Sequence, residues 1–178
     1  MTRRICPICK NLRLVDPDGP PGSKILIVGN SPGKLEVAKN IPWIGPAGQV
    51  LNKELNRIGL QRDDYRITNM WLHAPAEPGT KRKPNPLYEK ELNWHVSQLK
   101  NEFEGKRAIL IMGSEPAQVL GLGSISEITG TVVRSDYFPE SVEVVVAMVN
   151  PAQALHDLLG ETRHAIQNFA NALSSYNA

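Results

Sequence analysis

Residues 25–48 read "ILIVGNSPGKLEVAKNIPWIGPAG", and the reading of this stretch decides the fold. Four apolar residues, Ile25 to Val28, form a run too short for a helix and without polar alternation. Such a run is a strand buried on both faces, as in a parallel sheet. Gly29, Asn30, Ser31, Pro32 and Gly33 follow at once. This is a loop of small residues at the carboxyl end of a strand, where open α/β sheets bind ligands. It lacks the Gly-Lys-Ser/Thr ending of a P-loop and the Gly-x-Gly-x-x-Gly spacing of a dinucleotide site.

Working outward, the chain alternates strands and helices. A strand is expected over 24–29 and a helix over 46–59, where Val50, Leu51, Leu55 and Ile58 share a face and Gly59 ends it. A second strand is expected over 64–72 and a third over 107–113 ("RAILIMG"). A fourth, over 141–149 ("SVEVVVAMV"), runs into Asn150-Pro151. Helices are expected over 87–104, from Ser114 as N-cap with Pro116 in the first turn, and over 152–175. Residues 130–138 read as an edge hairpin. Residues 74–86, with four prolines and Lys81-Arg82-Lys83, read as a loop. Apolar strands alternating with helices give an α/β chain with a parallel sheet covered on both faces. Asn69 and Asn150 then join Asn30 at strand ends, and an Asn side chain offers a donor and an acceptor to an amide-like edge such as that of a nucleobase.

Composition sets wider limits. A length of 178 residues suits one domain with a real core, and 41% hydrophobic with 21% charged residues is ordinary for a globular protein. The formal charge of +2 permits an anionic partner without demanding one. Contact with nucleic acid would fall to local clusters such as Lys81, Arg82 and Lys83. No apolar run approaches the roughly 20 residues of a membrane span. "MTRRICPICK" has no apolar core of a signal peptide. A cytoplasmic monomer with no membrane association is expected.

The two cysteines, Cys6 and Cys9, are spaced Cys-x-x-Cys. The spacing suits two ligands of a metal ion or cluster whose other ligands lie elsewhere. A redox pair and two unpaired thiols near the chain end are the alternatives.

Taken together, the motifs resemble the uracil-DNA glycosylase superfamily, most closely its iron–sulfur (family 4-like) branch. The residues that carry the resemblance are Gly29-Asn30-Ser31-Pro32-Gly33 with Glu36, then Ile41-Pro42-Trp43-Ile44-Gly45-Pro46-Ala47-Gly48. Ile67-Thr68-Asn69 at a strand end and Asn150-Pro151-Ala152-Gln153-Ala154-Leu155 complete the set. The resemblance covers nearly the whole chain. It implies a single domain, residues 1–178 with 1–23 as lead-in, folded as a three-layer α/β/α sandwich around a four-stranded parallel sheet. It also implies a DNA partner and flipping of a nucleotide out of the stack before its N-glycosidic bond is hydrolysed.

The resemblance assigns roles residue by residue. Gly29 and Ser31 would let backbone approach the base, Trp43 would stack on it and Asn69 would bond its Watson–Crick edge. Asn30, Glu36 and Asn150 would be catalytic. Pro151 and Ala152 would press on the DNA backbone, and Lys81, Arg82 and Lys83 would contact phosphates. Cys6 and Cys9 would be ligands of an iron–sulfur cluster or Zn²⁺, with His73 where a third Cys is expected and His95 or Glu91 as fourth ligand.

Some positions depart from the family pattern. Asn30 replaces a Glu, and Asn150 replaces the His that usually donates to the leaving base, as in the mismatch-specific branch. Glu36 is the only carboxylate left in the loop, in a region that lies near C5 of the base in the family. For Glu36 a solvated helix-start carboxylate is the plainer reading. These changes point to uracil or a modified pyrimidine as substrate, including a modified cytosine of phage DNA in a defence or phage-related role. They also leave two alternatives: a homologue that binds DNA without cleavage, and a regulator that binds free nucleobases.

Overall fold

In a computed structural model that describes residues 4–75 and 86–176, the four apolar runs become four parallel strands. These are β1 (Ile25–Gly29), β2 (Arg66–Asn69), β3 (Ala108–Met112) and β4 (Val144–Met148), in the order β2-β1-β3-β4. Register pairs Gly29 with Asn69 and Ile27 with Leu110. All four carboxyl ends therefore share one edge of the sheet, which brings the loop after Gly29, Asn69 and Asn150 together.

Each strand alternates between two cores. Ile27, Ile67, Leu110 and Val146 face a layer containing Leu51, Leu55, Ile166 and Phe169, from α2 (Pro46–Arg57) and α6 (Leu159–Tyr176). Leu26, Val28, Ile109, Ile111 and Val145 face Leu99, Phe103, Ala117 and Leu120, which belong to α3 (Tyr88–Glu102), α4 (Ser114–Val119) and their exits. Side chains alternate with period two along a strand, so apolar residues at every position require cover on both faces. The three-layer α/β/α sandwich follows.

Three expected elements take another form. The hairpin at 130–138 does not form. Thr129 and Val132 instead make single bridges to Ala147 and Val146 of β4, and Gly130 and Val133 donate N–H bonds to Ala147 and Val145. An isolated hairpin is marginal in water, whereas pairing with β4 covers an open sheet edge. The lead-in covers the opposite edge: Asp18 and Ile67 exchange two backbone bonds of 2.9 Å each. Ser114 is not the cap of α4. Gly113 holds that place at φ 104°, a backbone conformation that favours glycine. The helix expected over 152–175 is split. A 3₁₀ turn, Pro151–Leu155, precedes α6, and the N–H groups of His156, Asp157 and Leu158 all turn back to the Gln153 carbonyl, which ends the turn. Within the loop after β1 a short helix, α1 (Lys34–Lys39), forms, and α5 (Ile125–Ile128) follows α4.

Candidate active site

A pocket of about 420 Å³ opens at the carboxyl edge of the sheet. Ser31 to Glu36, Trp43, Gly45 to Ala47, Asn69, Asn150 and Ala152 line it. Three stretches far apart in sequence meet here because β1, β2 and β4 all end on this edge.

Glycines set its shape. A Cβ on Gly29 would run into the Trp43 ring and come within 2.6 Å of Asn69 Oδ1. A Cβ on Gly48 would strike the Trp43 backbone. Trp43 itself sits at φ 61°, a left-handed conformation that is an outlier for a bulky residue and costs about 1–3 kcal/mol. Its indole N–H donates to the Thr68 carbonyl at 3.3 Å, and only 6% of the residue is exposed. Trp43 therefore belongs to the core and to the pocket wall at once.

Glu36 is not a solvated helix-start carboxylate. It is 8% exposed, and its Oε1 accepts the Gly45 N–H at 2.8 Å. Cβ atoms on Gly33 and Gly45 would stand 2.7 and 2.9 Å from its two oxygens. The carboxylate fits a slot between two glycines and joins the loop after β1 to the start of α2.

Asn69 is 3% exposed, and its Oδ1 is buried with no hydrogen-bond partner among the described residues. The Oδ1 of Asn30, at the end of neighbouring β1, is in the same state, although Asn30 is not among the residues lining the pocket. Buried polar atoms are satisfied as a rule, so two orphaned amide oxygens at one strand edge call for a ligand or water. Asn150 is arranged differently. Its Oδ1 accepts the Ala152 N–H at 2.9 Å and caps the 3₁₀ turn. The cap commits the oxygen and turns the amide nitrogen, a donor, to other uses. Pro151 is buried while Ala152 is half-buried at the pocket wall. Lys81, Arg82 and Lys83 lie outside the described residues.

Cys6, Cys9, His73 and Glu91 meet on the other side of the β2 exit, with one ligand atom from each within 4.8 Å of all the others. Cys6 is fully buried, which removes the reading of two thiols on a loose chain end. Burial, the largest cause, pushes the Cys9 thiol above its ordinary pKa. Of the two candidate fourth ligands, Glu91 joins the group. His95 packs edge-on against His73, with ring centroids 4.8 Å apart, and its Nδ1 accepts the Leu72 N–H at 3.2 Å. The donor set fits a metal ion, but it does not supply the four thiolates of the usual iron–sulfur site.

Sequence reasoning missed Gly33 and Gly45 as the slot for Glu36, and Glu54 as a buried anion. Glu54 is held by Arg163 at 3.1 Å and Arg57 at 3.6 Å, which joins α6 to α2. Carboxylates and arginines at helical spacing were the available signal for the second. Among the described residues no helix is long and apolar enough to cross a membrane.

Comparison with known proteins agrees with this geometry. Residues 17–174 match the family described as the uracil DNA glycosylase superfamily. The type-4 uracil-DNA glycosylase of Archaeoglobus fulgidus is 33% identical over 141 residues, 75% of this chain and 68% of that protein. The enzyme of the same name from Pyrobaculum aerophilum is 36% identical over 81 residues, 45% of this chain and 40% of its own. The crystal structure of wild-type SMUG2 from Pedobacter heparinus superposes with a TM-score of 0.51 at 15% identity, covering 87% of this chain and 76% of that one; at that identity the likeness concerns the fold. The chain belongs to the uracil-DNA glycosylase superfamily.

Proposed function

We propose that the protein is a DNA glycosylase that accepts a flipped-out nucleotide and hydrolyses its N-glycosidic bond, releasing uracil or a modified pyrimidine. The observation that carries this reading is the convergence of Trp43, Glu36, Asn69 and Asn150 on one pocket at the carboxyl ends of the strands, with an Asn69 amide oxygen that has no hydrogen-bond partner among the described residues. A site built to hydrogen-bond one edge leaves its polar group unsatisfied until that edge arrives.

The roles follow from chemistry. Asn69 Oδ1 accepts the N3–H of uracil, and its NH₂ donates to O4. Turned over, the same amide complements the N3 and N4 edge of cytosine, so modified cytosines, including those of phage DNA, belong among the candidate substrates. Trp43 supplies a rigid aromatic wall for the base. As the bond from C1′ to the base nitrogen breaks, the electron pair leaves with the base and positive charge develops on the sugar. The Asn150 NH₂ donates to the base oxygen where negative charge gathers. The Glu36 carboxyl group, held by the Gly45 N–H through Oε1, is the only acidic side chain among the described residues that line the pocket, and with the Ser31 hydroxyl it orients a water. That water adds its oxygen to C1′ and its proton passes, by way of Glu36, to the departing base anion, leaving neutral free base and an abasic site. Ala152 and the basic side chains of Lys81, Arg82 and Lys83 meet the DNA backbone.

The test is release of free base, followed by chromatography, from single- and double-stranded DNA carrying uracil, cytosine or 5-modified cytosines. Release from uracil-containing DNA supports a repair activity, and release from a modified cytosine alone supports a role on phage DNA. DNA binding with no base released from any substrate overturns the enzymatic reading.

A further inference from the structure

The cluster beside the β2 exit contains a buried contact that calls for a positive charge. His73 Nδ1 lies 2.8 Å from the Ala74 carbonyl oxygen. That oxygen can only accept, so Nδ1 carries the ring proton, and in the neutral ring Nε2 bears a lone pair. Nε2 is nevertheless 3.0 Å from Glu91 Oε1, another acceptor. Both side chains are out of water, at 0% and 8% exposure. A proton on either side chain would satisfy the pair, and so would a metal cation held between them. A proton on Nε2 would serve that pair alone. It would leave unexplained why the sulfurs of Cys6 and Cys9 converge on the same two atoms, with all four ligand atoms within 4.8 Å.

We infer that Cys6, Cys9, His73 and Glu91 bind one tetrahedral divalent ion of the zinc class, and not a multi-iron cluster. With bonds of about 2.3 Å to sulfur and about 2.0–2.2 Å to nitrogen or oxygen, donors around one ion stand roughly 3.3–3.8 Å apart. That spacing lies inside the observed 4.8 Å envelope. A cluster places several iron and sulfide atoms between its ligands and so spreads them wider, and its usual ligands are thiolates. Two sulfurs, one imidazole and one carboxylate suit a single borderline-soft ion. The bond from His73 Nδ1–H to the Ala74 carbonyl is the outer contact that fixes the ligating tautomer.

Four protein ligands close the shell, so the ion is structural. It joins three segments: the turn of Cys6 and Cys9, closed by the Lys10 N–H on the Cys6 carbonyl at 2.9 Å; Glu91 on α3; and the chain leaving β2. A small core of Cys6, Leu14 and Leu72 lies beside it.

The test is elemental analysis of the full-length, untagged protein, followed by Co²⁺ titration of chelator-treated protein. The expected result is one zinc per chain. Co²⁺ should bind with the intense visible bands of a tetrahedral site and near-ultraviolet sulfur-to-cobalt charge transfer. Glu91→Gln, nearly isosteric, should weaken Co²⁺ binding by about 10–100-fold or more and shift the visible bands, with the far-ultraviolet circular dichroism unchanged. Several irons with matching acid-labile sulfide per chain would overturn the single-ion site. Retention of no metal with no Co²⁺ bound would also overturn it, leaving a buried His73–Glu91 ion pair. Co²⁺ binding unchanged by Glu91→Gln would remove Glu91 from the ligand set.

Discussion

Asn69 and His73 leave the same strand four residues apart, and they serve two sites built in opposite ways. The pocket is made by backbone and close approach. Glycines at 29, 33, 45 and 48 make room for Trp43 and Glu36, and the Asn69 amide oxygen is left without a partner among the described residues. The cysteine-containing cluster is made by side chains from three separate segments that converge on one point, and its donors face one another. The first arrangement suits a site that must empty and refill. The second suits a permanent fastening for the segment that carries Asn69.

The comparison can be broken most sharply at Asn69. Asn69→Leu keeps the volume of the side chain and removes the amide. Base release should fall by about 10²–10³-fold while metal content stays the same. An unchanged rate in single-turnover assays would detach the pocket from the chemistry. Next comes Glu36→Gln, which keeps an oxygen for the Gly45 N–H but removes the charge. The melting temperature should hold while kcat falls by about tenfold or more. A kcat equal to that of the parent would reduce Glu36 to a fastener between loop and helix.

Gly48→Ala sharpens the packing side of the account. The new methyl group meets the Trp43 backbone, so a loss of about 1–3 kcal/mol is expected, or about 2–4 °C in Tm for each kcal/mol, read by calorimetry. The smallest effect belongs to Arg163→Ala. Arg163 is about half-exposed and Arg57 still faces Glu54. Because Glu54 is buried and Arg57 stays 3.6 Å away, stability in urea should drop by about 1–2 kcal/mol, with base release unchanged.

Much of this was legible in the sequence. Strands apolar at every position, such as Ile25 to Val28 and Val144 to Met148, announced a sheet covered on both faces, and the ordered motifs placed Ser31, Trp43, Asn69 and Asn150 in one region. What stayed hidden depends on tertiary geometry. Glu91 and His95 lie one helical turn apart on α3, and no pattern tells which enters the cluster. In the fold it is Glu91 that brings an oxygen within 4.8 Å of the other donors, while His95 accepts the Leu72 N–H through Nδ1. Trp43 at positive φ follows no local preference and is held by Gly29, Gly48 and the Thr68 carbonyl. Residues 130–138 have hairpin composition, yet an unfilled edge on β4 offered a better partner.

The central claim is that a fixed Asn150 amide donates to the leaving base. The direct measurement is the single-turnover rate of uracil release from uracil-containing DNA at saturating enzyme, for the parent protein and Asn150→Ala side by side, with DNA affinity measured on the same preparations. The account predicts free uracil from the parent, release slower by about 10²–10³-fold in the variant, and affinities that agree within a few-fold. Equal rates for the two proteins would contradict it.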